Sequence, residues 1–338
     1  MINRKLGVGI IGLGHNGEAH LRAYQTNPFT EVIAVCDLSE EKVRKIKKIY
    51  GIKYGYTDYQ KMLIRKDIQV VSVNTSDHLH AKPFIHSLEA GKHTFVEKPM
   101  ADTILDLRKM VEAADKNPHL KTMIGQILRF NPLFKKIKEF IRKGTLGEIF
   151  YLEGDYIHNL KCQADKERYN EKIGMNWWLE KELPMVGGGC HPLDLLRWFA
   201  GGVVEVQAYS NRIAFPQMKN DDAVVAIFKF ENSCLGKVTA LYGPVSPYAY
   251  ANNIAVYGTK GTILRDTICL DEKEGFTKIE VPYSRGHPYE PEVNHFIECI
   301  LKDKKPLVDA REGARTAAAA ITINKALKEK KSIPIPEF

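Results

Sequence analysis

Gly12-Leu13-Gly14-His15-Asn16-Gly17 spaces three glycines as G-x-G-x-x-G. The residues before it read as a strand and those after it as a helix, and an acidic residue, Asp37, stands 20 positions beyond Gly17. Glycines at this spacing have separable uses. The first permits a tight turn, the second lets bare backbone approach a pyrophosphate, and the third lets the helix pack close to the strand. The free N–H groups at the helix start then meet the phosphate charge. A strand–turn–helix that uses glycine for turning alone would share the letters but not the whole context. Gly12, Leu13, Gly14, His15, Asn16 and Gly17 are therefore read as a dinucleotide-binding turn. Asp37 would accept hydrogen bonds from the adenosine ribose hydroxyls, and its charge would repel a 2′-phosphate. Leu38 and Ser39 supply no arginine to hold one, which favours NAD over NADP.

Such a turn needs a parallel sheet behind it. Apolar runs at 6–11, 31–36, 70–73, 93–96 and 121–124 predict strands, and 17–25, 40–49, 78–88 and 103–114 predict helices between them. The alternation predicts an α/β domain over residues 1–125, a Rossmann doubly wound parallel sheet with helices on both faces. Ligands of such sheets lie beyond the carboxyl ends of the strands, which is where Lys98 falls. An ordinary lysine at a strand end is the competing reading.

After about Gln126 the pattern changes. Residues 132–142 predict a helix, and 147–281 read mostly as alternating strands, as in 223–228, separated by turns such as Glu231-Asn232-Ser233. Near the end, Val293, Phe296, Ile297, Ile300 and Leu301 mark one face of a helix, and the Ala-rich stretch 311–328 another. A second, α+β domain over 126–338 follows, with its last helix expected to pack back on the first.

Length and composition fit this division. A chain of 338 residues exceeds one typical domain, and 44% hydrophobic with 27% charged residues argues against disorder. No apolar run reaches the roughly 18 residues of a membrane span, and the first apolar run is too short for a signal peptide, so a cytoplasmic protein is expected. The six cysteines form no C-x-x-C pair and no zinc spacing, which predicts free thiols and no metal. The net charge of +8 permits nucleic acid. Yet the basic runs at 42–48 and 135–143 alternate with apolar residues at helical spacing, so they read as solvated faces and no nucleic-acid partner is expected.

Two further stretches carry a family resemblance. Val73-Asn74-Thr75-Ser76-Asp77-His78-Leu79-His80, continuing to Ala90-Gly91-Lys92-His93-Thr94-Phe95-Val96-Glu97-Lys98-Pro99, resembles the glucose–fructose oxidoreductase / inositol dehydrogenase / rhizopine-catabolism (Gfo/Idh/MocA) family. Gly187-Gly188-Gly189-Cys190-His191-Pro192-Leu193-Asp194-Leu195-Leu196-Arg197-Trp198 is similar to that family's active-site segment, and Arg129-Phe130-Asn131-Pro132 to its crossover between domains. The resemblance runs over nearly the whole chain, and Glu97-Lys98-Pro99 is its most specific part. It implies an NAD(P)-dependent oxidoreductase that moves a hydride between the cofactor and a secondary hydroxyl of a sugar, cyclitol or sugar derivative. It also implies an open-faced, mainly antiparallel sheet in the second domain, through which subunits pair as a homodimer or homotetramer.

The resemblance assigns roles residue by residue. Lys98, beside a cis bond to Pro99, would stabilise a developing alkoxide. His191 would take the hydroxyl proton, as a group titrating near neutrality does best. The competing reading of His191 is a helix start, with Pro192 at the first helical position and Asp194 in the first turn. Thr75, Ser76, His80 and Glu97 join the cofactor site. Asp194, Arg129, His158 and Trp178, with Trp177 and Lys161, are substrate-pocket candidates, and Tyr283 and His287 lie in a late loop that could approach the cleft. Many members carry an Asp four residues before this His, where this chain has Gly187. Either another residue supplies that carboxylate, or the chemistry differs from plain dehydrogenation. A lyase or glycosidase with an internal NAD redox cycle and a non-catalytic, sugar-responsive NAD-binding regulator are the alternatives.

Overall fold

The computed structural model describes residues 5–160, 179–245, 250–282 and 287–338. In chain order the first strands and helices are β1 (Leu6–Ile11), α1 (His15–Thr26), β2 (Thr30–Cys36), α2 (Glu40–Tyr50), β3 (Tyr54–Tyr56), α3 (Tyr59–Leu63), β4 (Val70–Val73), α4 (Ala81–Glu89), β5 (His93–Glu97), α5 (Ile104–Lys116) and β6 (Thr122–Gly125). Then come α6 (Pro132–Arg142), β7 (Ile149–His158), α7 (Pro184–Gly187), α8 (Cys190–Ala200), β8 (Val203–Asn211), β9 (Ala223–Phe230), β10 (Leu235–Tyr242) and β11 (Tyr250–Gly258). The last are β12 (Gly261–Leu264), β13 (Thr267–Cys269), β14 (Thr277–Lys278), α9 (Tyr289–Leu301), α10 (Ala310–Glu329) and β15 (Ile333–Pro334). The chain divides into two compact units, one of residues 1–130, 285–314 and 338, the other of 131–284 and 315–337.

In the first unit six parallel strands form one sheet in the order β3-β2-β1-β4-β5-β6. The order reverses between β1 and β4, the switch point beyond whose carboxyl ends doubly wound sheets bind ligands. Side-chain caps set the helix starts as their residue types require. Ser39 accepts the Lys42 N–H ahead of α2, and Thr103 accepts the Asp106 N–H ahead of α5. The expected helix at 78–88 is broken instead into a short 3₁₀ turn, Asp77–Leu79, and α4. The edge strand β3 and the helix α3 escaped the sequence reading, because three and five residues are too few to establish a period.

The division is not the single cut expected after residue 125. Residues 285–314 return to the first unit. There Val293, Phe296 and Ile297 of α9 join Leu21, Tyr24 and Phe95 in one core. The start of α10 also belongs here. The Ala310 N–H donates to Thr122 Oγ1 at 3.2 Å, and a Cβ on Gly313 would lie 2.2 Å from Ile124 Cγ1.

In the second unit nine strands form a sheet in the order β14-β13-β12-β11-β7-β10-β9-β8-β15. The pairs are antiparallel except β7 with β10, which run parallel in register from Tyr151 opposite Leu235 to His158 opposite Tyr242. Both strands therefore end together at His158 and Tyr242. Burial alternates with period two. Val224, Ala226 and Phe228 of β9 are buried, while Val225 and Ile227 are exposed on the opposite face. Helix α8 packs on β7, β10 and β11, so the stretch expected to be mostly strand also carries the helices that cover its inner face. Among the described residues no helix is long and apolar enough to cross a membrane.

Candidate active site

The glycine-rich turn after β1 separates its three glycines by what surrounds them. Gly12 has φ +88°, and a Cβ there would lie 2.5 Å from the Asn74 carbonyl oxygen. A Cβ on Gly17 would lie 1.9 Å from the Gly12 carbonyl oxygen, so only glycine lets α1 start this close to the strand. Gly14 is different. A Cβ there would meet nothing within 4 Å. Gly14 also precedes an α1 start with no side-chain cap. The turn thus presents bare backbone to open space at a helix N-terminus, which fits a pyrophosphate. Asp37 stands at the end of β2, its carboxylate aimed by two backbone donors, Leu13 N–H to Oδ2 at 2.8 Å and Ser39 N–H to Oδ1 at 2.9 Å. The Leu13 side chain is buried, His15 is exposed, and Asn16 accepts from the Tyr289 hydroxyl at 3.1 Å.

Lys98 follows β5 directly, half-buried, with a cis bond to Pro99. Its backbone N–H donates to Glu97 Oε2 at 3.0 Å, while Glu97 Oε1 lies 2.8 Å from His20 Nε2. Burial alone would push the Glu97 carboxyl up. The hydrogen bond and charge of His20, joined by the charge of Lys98, reverse that and hold it below the usual carboxylate range. Glu97 is therefore turned inward, a buried anion behind Lys98. His80, fully buried, lies 2.8 Å through Nδ1 from the Pro99 carbonyl and 2.9 Å through Nε2 from the Thr75 carbonyl. It pins the loop after β4, with half-buried Thr75 and exposed Ser76, to the loop after β5. Burial and the charge of Lys98 push the His287 imidazole down to about 4, so it is neutral at physiological pH. His287 thus lies within range of the Lys98 charge.

Arg129 lies in the first unit. It is 2% exposed and pairs with Glu312 of α10 at 3.0 Å, so its guanidinium is engaged within the first unit's own packing.

In the second unit the ends of β7 and β10 meet the start of α8. His158 is buried, its Nδ1 3.4 Å from the Tyr156 hydroxyl and its ring 5.3 Å from that of Tyr242. Tyr156 stacks on His191 with ring centroids 6.1 Å apart. The Tyr242 hydroxyl donates to Glu182 Oε1 at 2.7 Å. Burial, then the charge of Glu182, pushes the Tyr242 phenol well above its ordinary range, so it stays a donor. Helix α8 begins at Cys190, two residues before Pro192, so Asp194 lies beyond the first turn rather than in it. Asp194 Oδ1 accepts from Thr316, which also receives a bond from Arg197 at 2.5 Å. That triad ties α8 to α10.

His20, Tyr156, Tyr242 and Glu182 were not singled out from sequence. Each sits at an apolar-looking position of a helix, a strand or a loop, and only packing brings it to a titratable neighbour. Trp178, like Trp177, Lys161 and Tyr283, lies outside the described residues. Among the described residues no group of three His, Cys, Asp or Glu side chains is placed to hold a metal ion.

Comparison with known proteins agrees with this architecture. Residues 6–125 match the model of the oxidoreductase family with an NAD-binding Rossmann fold, and residues 134–264 that of the GFO/IDH/MocA C-terminal domain. A myo-inositol 2-dehydrogenase of Thermotoga maritima is 24% identical over 98% of this chain and 98% of its own. A levoglucosan dehydrogenase of Pseudarthrobacter phenanthrenivorans is 25% identical over 77% of this chain and 73% of its own. The structure of scyllo-inositol dehydrogenase from Lactobacillus casei with NAD(H) and scyllo-inositol superposes with a TM-score of 0.84, at 21% identity over 98% of this chain and 99% of that one, which establishes the shared fold. With both halves matched to one family and both glycine-bearing segments built as described, the chain belongs to the GFO/IDH/MocA family of oxidoreductases.

Proposed function

We propose that the protein is a dehydrogenase that transfers a hydride between NAD and a secondary hydroxyl of a sugar, cyclitol or related polyol. The observation that carries this reading is Lys98 at the carboxyl end of β5, backed by the buried Glu97 anion, in the unit that holds the open Gly14 turn. Inositol and levoglucosan dehydrogenases among the relatives support the substrate class. NAD, when bound, supplies the hydride acceptor. Gly12, Gly14 and the start of α1 would hold its pyrophosphate, and Asp37 its ribose. The Asp37 carboxylate, fixed by two backbone donors, favours NAD over NADP by repelling a 2′-phosphate. Lys98 donates to the reacting hydroxyl and stabilises negative charge on its oxygen, and His191 accepts its proton. The described cysteines are free thiols, in keeping with a cytoplasmic enzyme. The outer face of the nine-stranded sheet leaves Tyr209, Val225 and Ile227 exposed and would pair subunits as a homodimer or homotetramer.

The test is a panel of cyclitols, aldoses and sugar acids with NAD⁺ and NADP⁺, followed by nicotinamide absorbance. The expected result is NADH formation with one compound class. Lys98→Met should lower turnover about 100-fold or more with NAD affinity nearly intact. Equal turnover in that variant, on the substrate so found, overturns the role of Lys98.

A further inference from the structure

We propose that Glu182 is a positioning residue for His191, a buried carboxylate whose negative charge steadies the imidazolium formed when His191 takes the substrate proton. This rests on the reaction proposed above. Glu182 is 3% exposed and held at both ends. Its carboxylate accepts from the Tyr242 hydroxyl at 2.7 Å, and its backbone carbonyl from Asn220 Nδ2 at 2.8 Å.

The place this carboxylate occupies is the argument. A Cβ built on Gly187 would lie 1.9 Å from Glu182 Oε1 and 2.6 Å from Oε2. The carboxylate therefore fills the volume that a side chain at position 187 would take. From Pro184 to His191 the chain coils through a break at Gly188 and Gly189, where α7 ends and α8 begins, with the Gly189 N–H bonded back to the Pro184 carbonyl at 2.8 Å and the His191 N–H to the Gly188 carbonyl at 3.0 Å. Positions 187 and 191 lie four residues apart across this short break, about one helical turn along the chain. The Tyr156 ring completes the packing. A Cβ on Gly188 would lie 2.2 Å from Tyr156 Cε1, and that ring stacks on His191. A charge delivered to the Gly187 position thus lies within one turn of the His191 ring.

Among the described residues the Tyr156 ring of β7 stacks on His191 and in turn meets His158 and Tyr242, while Cys190 and Asp194 share α8 with His191. Asp194 is bonded to Thr316. Tyr242 stays protonated, so Glu182 is the anion on the glycine side. In the step itself the substrate O–H bond breaks and an N–H bond forms on His191, and Glu182 keeps its charge throughout. In a buried setting an anion about one turn away favours the charged ring.

The test reads the His191 ring directly, without substrate. The intact protein labelled with ¹⁵N-histidine is titrated by NMR, with the His191 signal identified by its loss in His191→Gln. Glu182→Gln keeps the shape and removes the charge, and should lower the His191 midpoint by on the order of one pH unit. The double variant Glu182→Ala, Gly187→Asp moves the carboxylate to the other residue and should bring the midpoint back toward wild type. Gly187→Asp alone should destabilise the fold, since its Cβ enters the Glu182 carboxylate. An unchanged midpoint in Glu182→Gln, or a double variant that behaves like Glu182→Ala alone, overturns the proposal. A shifted midpoint together with silence on every polyol would instead leave the Glu182–His191 pair standing and sink the dehydrogenase reading.

Discussion

The chain uses a cluster of glycines twice, and the two clusters are built for opposite purposes. In the turn at 12–17, Gly12 and Gly17 are crowded by backbone, but Gly14 faces space that no protein atom within 4 Å occupies. In the run 187–189 every glycine is crowded by the protein's own side chains: Glu182 at Gly187, Tyr156 and Tyr242 at Gly188, Met185 at Gly189. The first cluster leaves open space beside Gly14 among the described residues. The second lets large polar side chains from elsewhere close around a helix start and bring His191, His158 and Tyr242 together. A glycine is thus informative only together with what its missing side chain would have met.

Alanine substitutions break this comparison at its hardest point first. Gly17→Ala sets a Cβ 1.9 Å from a backbone oxygen, which cannot swing aside. A loss of about 3 kcal/mol or more is expected, read as a drop in the urea midpoint, together with loss of NAD binding. Gly188→Ala meets the Tyr156 ring at 2.2 Å and the Tyr242 hydroxyl at 2.4 Å. Rings can give slightly, so about 2 kcal/mol is expected, with NAD binding retained. Equal losses of NAD binding in the two variants would show that the second cluster is not independent of the first.

The two clusters also differ in how far sequence could expose them. The first was legible because its partners are local: strand, turn, helix and an acid at fixed spacing all lie within 6–37. The parallel sheet was legible for the same reason, since each βα unit announces itself in its own periodicity. The position of Lys98 followed from strand ends alone. The second cluster was half visible. Resemblance pointed to His191, and the glycine at 187 showed only that a carboxylate was missing there. What fills the gap comes from Glu182, held by Tyr242 sixty residues away on β10, and no local period encodes that pairing. Arg129 meets the same limit: its partner, Glu312, lies 183 residues on, and no local period encodes that pairing either. The return of 285–314 to the first unit was likewise set by packing of α9 on α1 rather than by any boundary signal.

Each region also holds a buried carboxylate beside a hydrogen-bond donor, Glu97 with His20 and Glu182 with Tyr242, and pH tests the first. The Glu97 carboxyl is held below its ordinary range in the folded protein. A group with a depressed folded value contributes stability above its unfolded value, near 4.3 for glutamate, and loses it as pH falls through the folded one. Glu97→Gln should therefore cost about 1.5 kcal/mol at pH 7, and the gap from wild type should close as the pH is lowered below about 4. Urea midpoints at pH 7, 5 and 3.5 would check it. A gap that widens in acid would mean the native protein prefers Glu97 protonated, and Glu97 would then not be the anion behind Lys98.

The smallest effect on the fold is expected at Gly14, and it carries the most weight. Its φ of −75° is one that alanine adopts freely, and the added Cβ would touch no protein atom within 4 Å. Gly14→Ala should leave the melting temperature within about 1 °C of wild type, or raise it slightly by restricting the unfolded chain. NAD affinity, read by quenching of tryptophan fluorescence or by calorimetry, should fall about tenfold, because a methyl group then stands where the pyrophosphate meets bare backbone. The two readouts together separate a glycine kept for a ligand from one kept for the chain. Unchanged affinity would mean that the open space beside Gly14 is not where the phosphates lie, and the cofactor site would have to be sought away from the start of α1. A loss of stability would mean that the space is filled by the protein in solution, which would make the two glycine clusters alike after all.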